Sequence, residues 1–127
     1  MRTGLIMVVA LPLALSMGAL GGCSRDEERA TAVPGGDASR GMKLLAQYQC
    51  GACHAIPGVP AARGTAGPSL DNFGLRSYIA GRVPNLPDRL ASWIVNPPAM
   101  VPQTRMPAMG VSEADARHMA AYLHTLR

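Results

Sequence analysis

The sequence predicts a small all-α protein, and three observations carry that expectation. Apolar residues recur at helical spacing in two separate segments: Leu44, Leu45 and Tyr48, then Ala116, Met119, Ala120, Leu123 and Leu126. No stretch sustains the apolar–polar alternation of a strand. The connections at 55–69, 81–87 and 96–110 are dense in Gly and Pro, which suits turns. At 127 residues the chain has room for one domain.

The N-terminus reads as a targeting segment. Arg2 precedes an uncharged apolar run at 4–20, and Leu20-Gly21-Gly22-Cys23 follows it. The run is roughly long enough to span a membrane, but small residues and a cysteine directly after it favour processing over a permanent anchor. Leu20-Gly21-Gly22-Cys23 resembles the bacterial lipobox. The resemblance implies cleavage before Cys23 and lipid attachment there. Residues 1–22 are then a lipoprotein signal peptide, 23–37 a lipidated cysteine and flexible linker, and 38–127 the folded domain. The linker is charged, then rich in small residues, and ends in Pro34-Gly35-Gly36. A flexible stretch of that length spans about 20 Å.

Within the domain, Asp37 is the expected N-cap of a helix reaching about Gln49. A short helical turn is expected at 75–80. A further helix is expected from Pro87 to Val95, with Pro87 in the first position and Asn96-Pro97-Pro98 as the stop. Ser112 and Asp115 form a short capping box ahead of the last helix. His118 and His124 fall off the apolar stripe of that helix and read as solvent-facing.

Removing residues 1–22 takes away one basic residue of 12 and leaves a net charge of +3. The basic residues are scattered singly, which argues against a nucleic-acid partner. Only five aromatics occur, Tyr48, Phe73, Tyr78, Trp93 and Tyr122. That is little material for a core, and a buried flat apolar cofactor would supply what is missing.

The cysteines point to the cofactor. There are three: Cys23, Cys50 and Cys53. An odd count in an exported chain needs an explanation. Lipid on Cys23 and a cofactor on the other two would leave none over and no disulfide. Residues 50–54 read Cys-Gly-Ala-Cys-His, the C-x-x-C-H haem attachment pattern. Two thiols three residues apart can each add to one of two neighbouring vinyl groups on a porphyrin edge. The next residue, His54, then offers its imidazole to the iron. A thioredoxin-like redox pair would need a strand before the motif and a βαβ pattern, and neither is visible. A zinc site would use adjacent Cys53 and His54 on one tetrahedral ion and recruit His118 and His124 from nearly opposite helix faces.

The candidates for a second iron ligand are Met100, Met106, Met109, Met119, His118 and His124. Met106 is favoured by position. It lies in Thr104-Arg105-Met106-Pro107, a loop stiffened by proline before the last helix. Met119 belongs to a core face, and Met100 and Met109 read as gap-fillers.

Residues 38–127 resemble class I cytochromes c. The likeness is to the cytochrome c domain fused to subunit II of some haem–copper terminal oxidases. It rests on Cys50–His54, on Arg63-Gly64-Thr65-Ala66-Gly67-Pro68-Ser69-Leu70 and on Leu90-Ala91-Ser92-Trp93-Ile94 with Pro97. Arg105-Met106-Pro107-Ala108-Met109-Gly110 and the helix ending Ala121-Tyr122-Leu123 complete it. The resemblance implies three to four helices and loops wrapped around one covalent haem c, with His54 and Met106 on the iron. It implies that the Pro68 carbonyl accepts a hydrogen bond from the other His54 nitrogen. It also implies that the first and last helices cross, with Gly41 and Tyr122 near the crossing. In place of the copper domain of the fused subunit stands the lipobox, so a free-standing relative is expected.

Trp93 is a candidate donor to one haem propionate, and Arg76 or Arg82 to the other. The resulting expectation is an electron carrier rather than an enzyme. It would sit on the periplasmic side of a bacterial envelope, held by lipid. It would exchange electrons with a terminal oxidase or a periplasmic dehydrogenase and take no small-molecule substrate. The reading from another class is Cu(I) handling by Met100, Met106 and Met109, which are soft ligands.

Overall fold

A computed structural model describes residues 32–127. The leader, Cys23 and most of the expected linker lie outside the described residues. Among the described residues four helices follow in chain order: α1 (Ala38–Gln47), α2 (Pro87–Val95), α3 (Pro97–Met100) and α4 (Glu113–Thr125). Two 3₁₀ turns, Cys50–Ala52 and Phe73–Leu75, lie between α1 and α2, with a two-residue hairpin of β1 (Tyr78–Ile79) and β2 (Val83–Pro84). The hairpin is antiparallel and pairs Tyr78 with Pro84 and Ile79 with Val83.

The helix ends follow their residues. The Asp37 carboxylate accepts the Arg40 backbone N–H at 3.0 Å, capping α1. That bond first, then the Ser39 hydroxyl, holds the Asp37 carboxyl below its ordinary range. α1 stops at Gln47, two residues before the expected end, because Gln49 adopts a left-handed conformation (φ 57°) that turns the chain into the cysteine motif. Pro87 opens α2, where a missing N–H costs nothing. Asn96 ends α2 and caps α3 through its side chain, which accepts from Ala99. Ser112 caps α4 by accepting the Asp115 N–H at 3.1 Å. The Asp115 carboxylate does not complete the capping box. It accepts instead from the Tyr48 hydroxyl at 3.0 Å and from Arg40 at 3.5 Å, tying α4 to α1.

α4 is the hub. It packs along α1 and α2 and against the Phe73–Leu75 turn. Ala116, Met119 and Ala120 are fully buried, and Leu123 nearly so. α1 approaches so closely at Gly41 that a Cβ there would lie 1.9 Å from the His118 carbonyl oxygen. Tyr122 lies one turn on and donates its hydroxyl to the Pro57 carbonyl at 2.6 Å, so it clamps the loop after the motif.

Four expectations are corrected, and Val33, ahead of residue 38, is itself buried. Gly36 lies against Ala121 and the Arg117 carbonyl, and the Asp37 N–H donates to His118 Nδ1 at 2.9 Å. His118 is thus half-buried rather than solvent-facing. His124 is buried at 4% exposure, because the chain at Gly74 closes over the end of α4. Residues 75–80 form no helical turn: the turn comes earlier, at Phe73–Leu75, and Tyr78–Ile79 are paired as a strand. The segment 96–110 begins as α3 because two prolines suit a helix start once Asn96 has capped it.

Two predictions follow from this packing. Helix propensity favours Ala over Gly by about 0.5–1 kcal/mol, but the Gly41 contact is with backbone and cannot give way. Gly41→Ala is expected to lower stability by about 1–3 kcal/mol, read as a lower denaturant midpoint. The second concerns His124, whose two ring nitrogens have no hydrogen-bond partner among the described residues. Burial, then the Arg127 charge, holds its pKa below the ordinary 6.5. The unfolded chain takes up that proton first. Stability is whole above pH 6.5 and is lost as pH falls from there through the folded value. His124→Leu is expected to lose less stability than the parent between about pH 8 and pH 5, in unfolding curves at both.

Candidate functional site

The site is built where α1 hands over to the 3₁₀ turn at Cys50–Ala52. The Tyr48 N–H bonds the Leu44 carbonyl at 2.8 Å, and the left-handed Gln49 swings the chain away. The Cys53 and His54 N–H groups then both donate to the Cys50 carbonyl, at 3.2 and 3.1 Å. Cys50 and Cys53 are free thiols, the first half-buried and the second exposed. Burial pushes the Cys50 thiol above its ordinary pKa, so it is held in the protonated form at neutral pH.

The following loop folds back on the motif. Gly64 donates to the Gly51 carbonyl at 3.0 Å, Gly67 to the Cys53 carbonyl at 2.8 Å and Leu70 to the Ala55 carbonyl at 2.8 Å. Ala55 and Arg63 form an antiparallel bridge. These bonds carry Pro68 to the back of the His54 ring, where its carbonyl oxygen lies 2.7 Å from Nδ1. The carbonyl has no proton to give, so Nδ1 must be the donor, and in the neutral ring Nε2 is then the lone-pair nitrogen. Gly67 makes the approach possible: a Cβ there would lie 2.4 Å from His54 Cε1.

This donor set fits a covalently attached haem. Two unpaired thiols and an imidazole with a fixed tautomer stand within five residues, and a partner behind the ring makes the nitrogen a stronger ligand. Met106 is half-buried and packs against the hydrophobic core, and its N–H donates to Thr104 Oγ1 at 3.2 Å. Met100 packs likewise, whereas Met109 is exposed. Met119 is wholly buried in the core. Among the described residues no group of three or more His, Cys, Asp or Glu side chains is placed to hold a metal ion.

The propionate candidates separate. Trp93 is buried on α2. Arg76 is half-buried, donates to the Ser69 and Asp71 carbonyls, and stacks over Phe73 with Cζ 5.4 Å from the ring centroid. Arg82 is exposed in the hairpin turn. Gly67 and Asn85 did not stand out in the sequence. The Gly-Pro pair following C-x-x-C-H was the available signal for Gly67. Asn85 had none, because its partners are backbone carbonyls.

Comparison with known proteins agrees with this geometry. The family model for cytochrome c matches residues 38–127. The chain is 36% identical over 91 residues to a protein named cytochrome c oxidase subunit 2 from Alkalihalophilus pseudofirmus. That match covers 71% of this chain and 26% of the relative. It is 35% identical over 100 residues to cytochrome c-type cyt cy from Rhodobacter capsulatus, covering 72% of this chain and 50% of the relative. The chain thus spans a quarter to a half of the length of these relatives. Cytochromes c carry electrons on covalently bound haem c, and by the family match over residues 38–127 this chain belongs to the cytochrome c family.

Proposed function

We propose that this chain is a membrane-tethered mono-haem cytochrome c that passes single electrons along a bacterial respiratory chain, to or within a terminal oxidase system. The observation that carries the reading is the His54 ring, its Nδ1 committed to the Pro68 carbonyl beside two free thiols. Cys50 and Cys53 would form the two thioethers, His54 Nε2 the proximal iron bond and Met106 the distal one. With both His54 and Met106 holding the iron, no position would be free for a substrate, and the sulfur ligand would raise the reduction potential. A shuttle therefore fits better than an enzyme. The likeness to a protein named cytochrome c oxidase subunit 2 supports an oxidase as partner. Subunit of a periplasmic dehydrogenase shares the same haem chemistry, and oxidation kinetics with isolated oxidase separate the two. The copper-handling reading has no observation in its favour, since the family assigns the paired cysteines to haem.

The tether rests on Cys23 and its lipobox. The residues between a lipidated Cys23 and the domain at 38–127 would be the spacer, a reach of about 20 Å.

Three experiments test this reading. Haem should stay with the wild-type protein through acid–acetone extraction, and the ferric form should show the weak far-red band of sulfur ligation. Met106→Ala should abolish that band, lower the potential and admit carbon monoxide, while Met100→Ala and Met109→Ala should do none of these. Extraction of haem into the organic phase would defeat the attachment. Loss of the band at Met100 or Met109 instead would move the ligand. For the tether, Cys23→Ser should abolish lipid labelling and leave precursor unprocessed. An unchanged mass and membrane fraction would speak for an ordinary anchor.

A further inference from the structure

A second chain of hydrogen bonds runs behind the one that orients His54. Asn85 follows β2, and its side-chain Nδ2 donates to two backbone carbonyls, Phe73 at 3.1 Å and Arg76 at 3.0 Å. Its own N–H donates to the Ser77 carbonyl at 3.0 Å. The turn it grips is fixed from the other side: the Gly74 N–H donates to the Leu126 carbonyl at 2.8 Å, at the end of α4. From that turn the Arg76 guanidinium reaches back and donates to the Ser69 carbonyl at 2.5 Å and the Asp71 carbonyl at 3.1 Å. Phe73 lies under it. Ser69 shares a peptide bond with Pro68, whose carbonyl accepts from His54.

We infer that Asn85 is a positioning residue for the proximal haem ligand, acting through Arg76 and the Ser69 peptide on the Pro68 carbonyl. The inference rests on the haem reading above and goes one step behind it. Packing alone does not account for an amide here. Asn85 Oδ1 is buried with no hydrogen-bond partner among the described residues, and a leucine, with the same branched shape, would leave no such acceptor. What only the amide supplies is one nitrogen with two N–H groups, matched to two carbonyls. Losing them frees the carbonyls at both ends of the turn that aims Arg76. The Pro68 carbonyl then loses its fixed direction, and the His54 Nδ1–H bond weakens. A weaker bond makes the imidazole less electron-rich. Ferric iron is then less stabilised, and the midpoint potential rises.

The test uses full-length holoprotein with Asn85→Leu and, separately, Arg76→Lys, which keeps the charge but loses the planar fork. Solvent exchange of the His54 ring N–H in the reduced state is followed by NMR, beside a potentiometric titration and a thermal melt. Both variants are expected to speed that exchange about tenfold, the factor one or two lost hydrogen bonds are worth, and to shift the midpoint potential upward. Asn85→Ser, which keeps one donor, should fall between Asn85→Leu and the parent. Lower melting temperatures with unchanged exchange and potential would make the role structural only and overturn the inference. If Asn85→Leu does not fold, Arg76→Lys decides by the same two readouts. A parent protein without covalent haem would instead defeat the haem reading, before either variant is measured.

Discussion

Everything in this fold is measured from the contact between α1 and α4 at Gly41. A backbone carbonyl occupies the space a Cβ would need, so the two helices touch main chain to main chain. α1 leads within two residues into Cys50–Ala52, and the crossing therefore fixes where the cysteine motif emerges. α4 fixes the rest. Tyr122 holds the loop after the motif through Pro57, and the α4 end holds the Phe73–Leu75 turn through Leu126. A shift of either helix would displace the thiols relative to the loop carrying Pro68. Only glycine lets one contact govern both.

The two sides of the site are built differently. On the proximal side the ring of His54 is met by the Pro68 carbonyl and backed by Gly67, and the loop behind it is stitched to the motif by several main-chain bonds. Around Met106 the bonds are local. Thr104 donates to the Val101 carbonyl, and Met106 to the Thr104 hydroxyl oxygen. Stiffness there comes from prolines at 102 and 107, which restrict the backbone without adding bonds. In the proposed reading His54 and Met106 would both have to stay in place in both oxidation states. A bonded loop behind His54 and a proline-limited loop around Met106 would serve that by different means.

Much of this was legible in the residues, and the failures share a cause. C-x-x-C-H is read from five adjacent residues because its chemistry is local. The N-caps at Asp37 and Ser112 are local too, and both were found where their side chains suggested. Helical periodicity marks His124 as solvent-facing because it sees only its own helix: Phe73–Leu75 covers a face that a lone helix would leave wet. The hairpin escaped because two-residue strands hold no alternation to detect. Val33 looked like linker because one apolar residue beside Pro-Gly-Gly has no period, yet Gly36 lets the strand of chain lie flat on Ala121. What was missed is long-range contact with main chain, to which composition is blind.

The core explains why such a fold belongs with a covalent cofactor. Its buried hydrophobic side chains include only two aromatics, Phe73 and Trp93, and several alanines among the described residues. The largest fully buried side chains are Leu90, Met119 and Pro97. A domain of this size buries a modest fraction of its surface and is marginal on its own. A haem joined by two thioethers would add apolar area without the loss of ordering entropy that further side chains would bring. Because the link is covalent, that contribution would not depend on free cofactor concentration, as it does for a dissociable ligand. Attachment would thus complete the core and create the redox centre in one step. Four non-glycine residues among the described ones, Gln49, Ala61, Asn72 and Ala80, are left-handed, and each is held there by the structure packed around it.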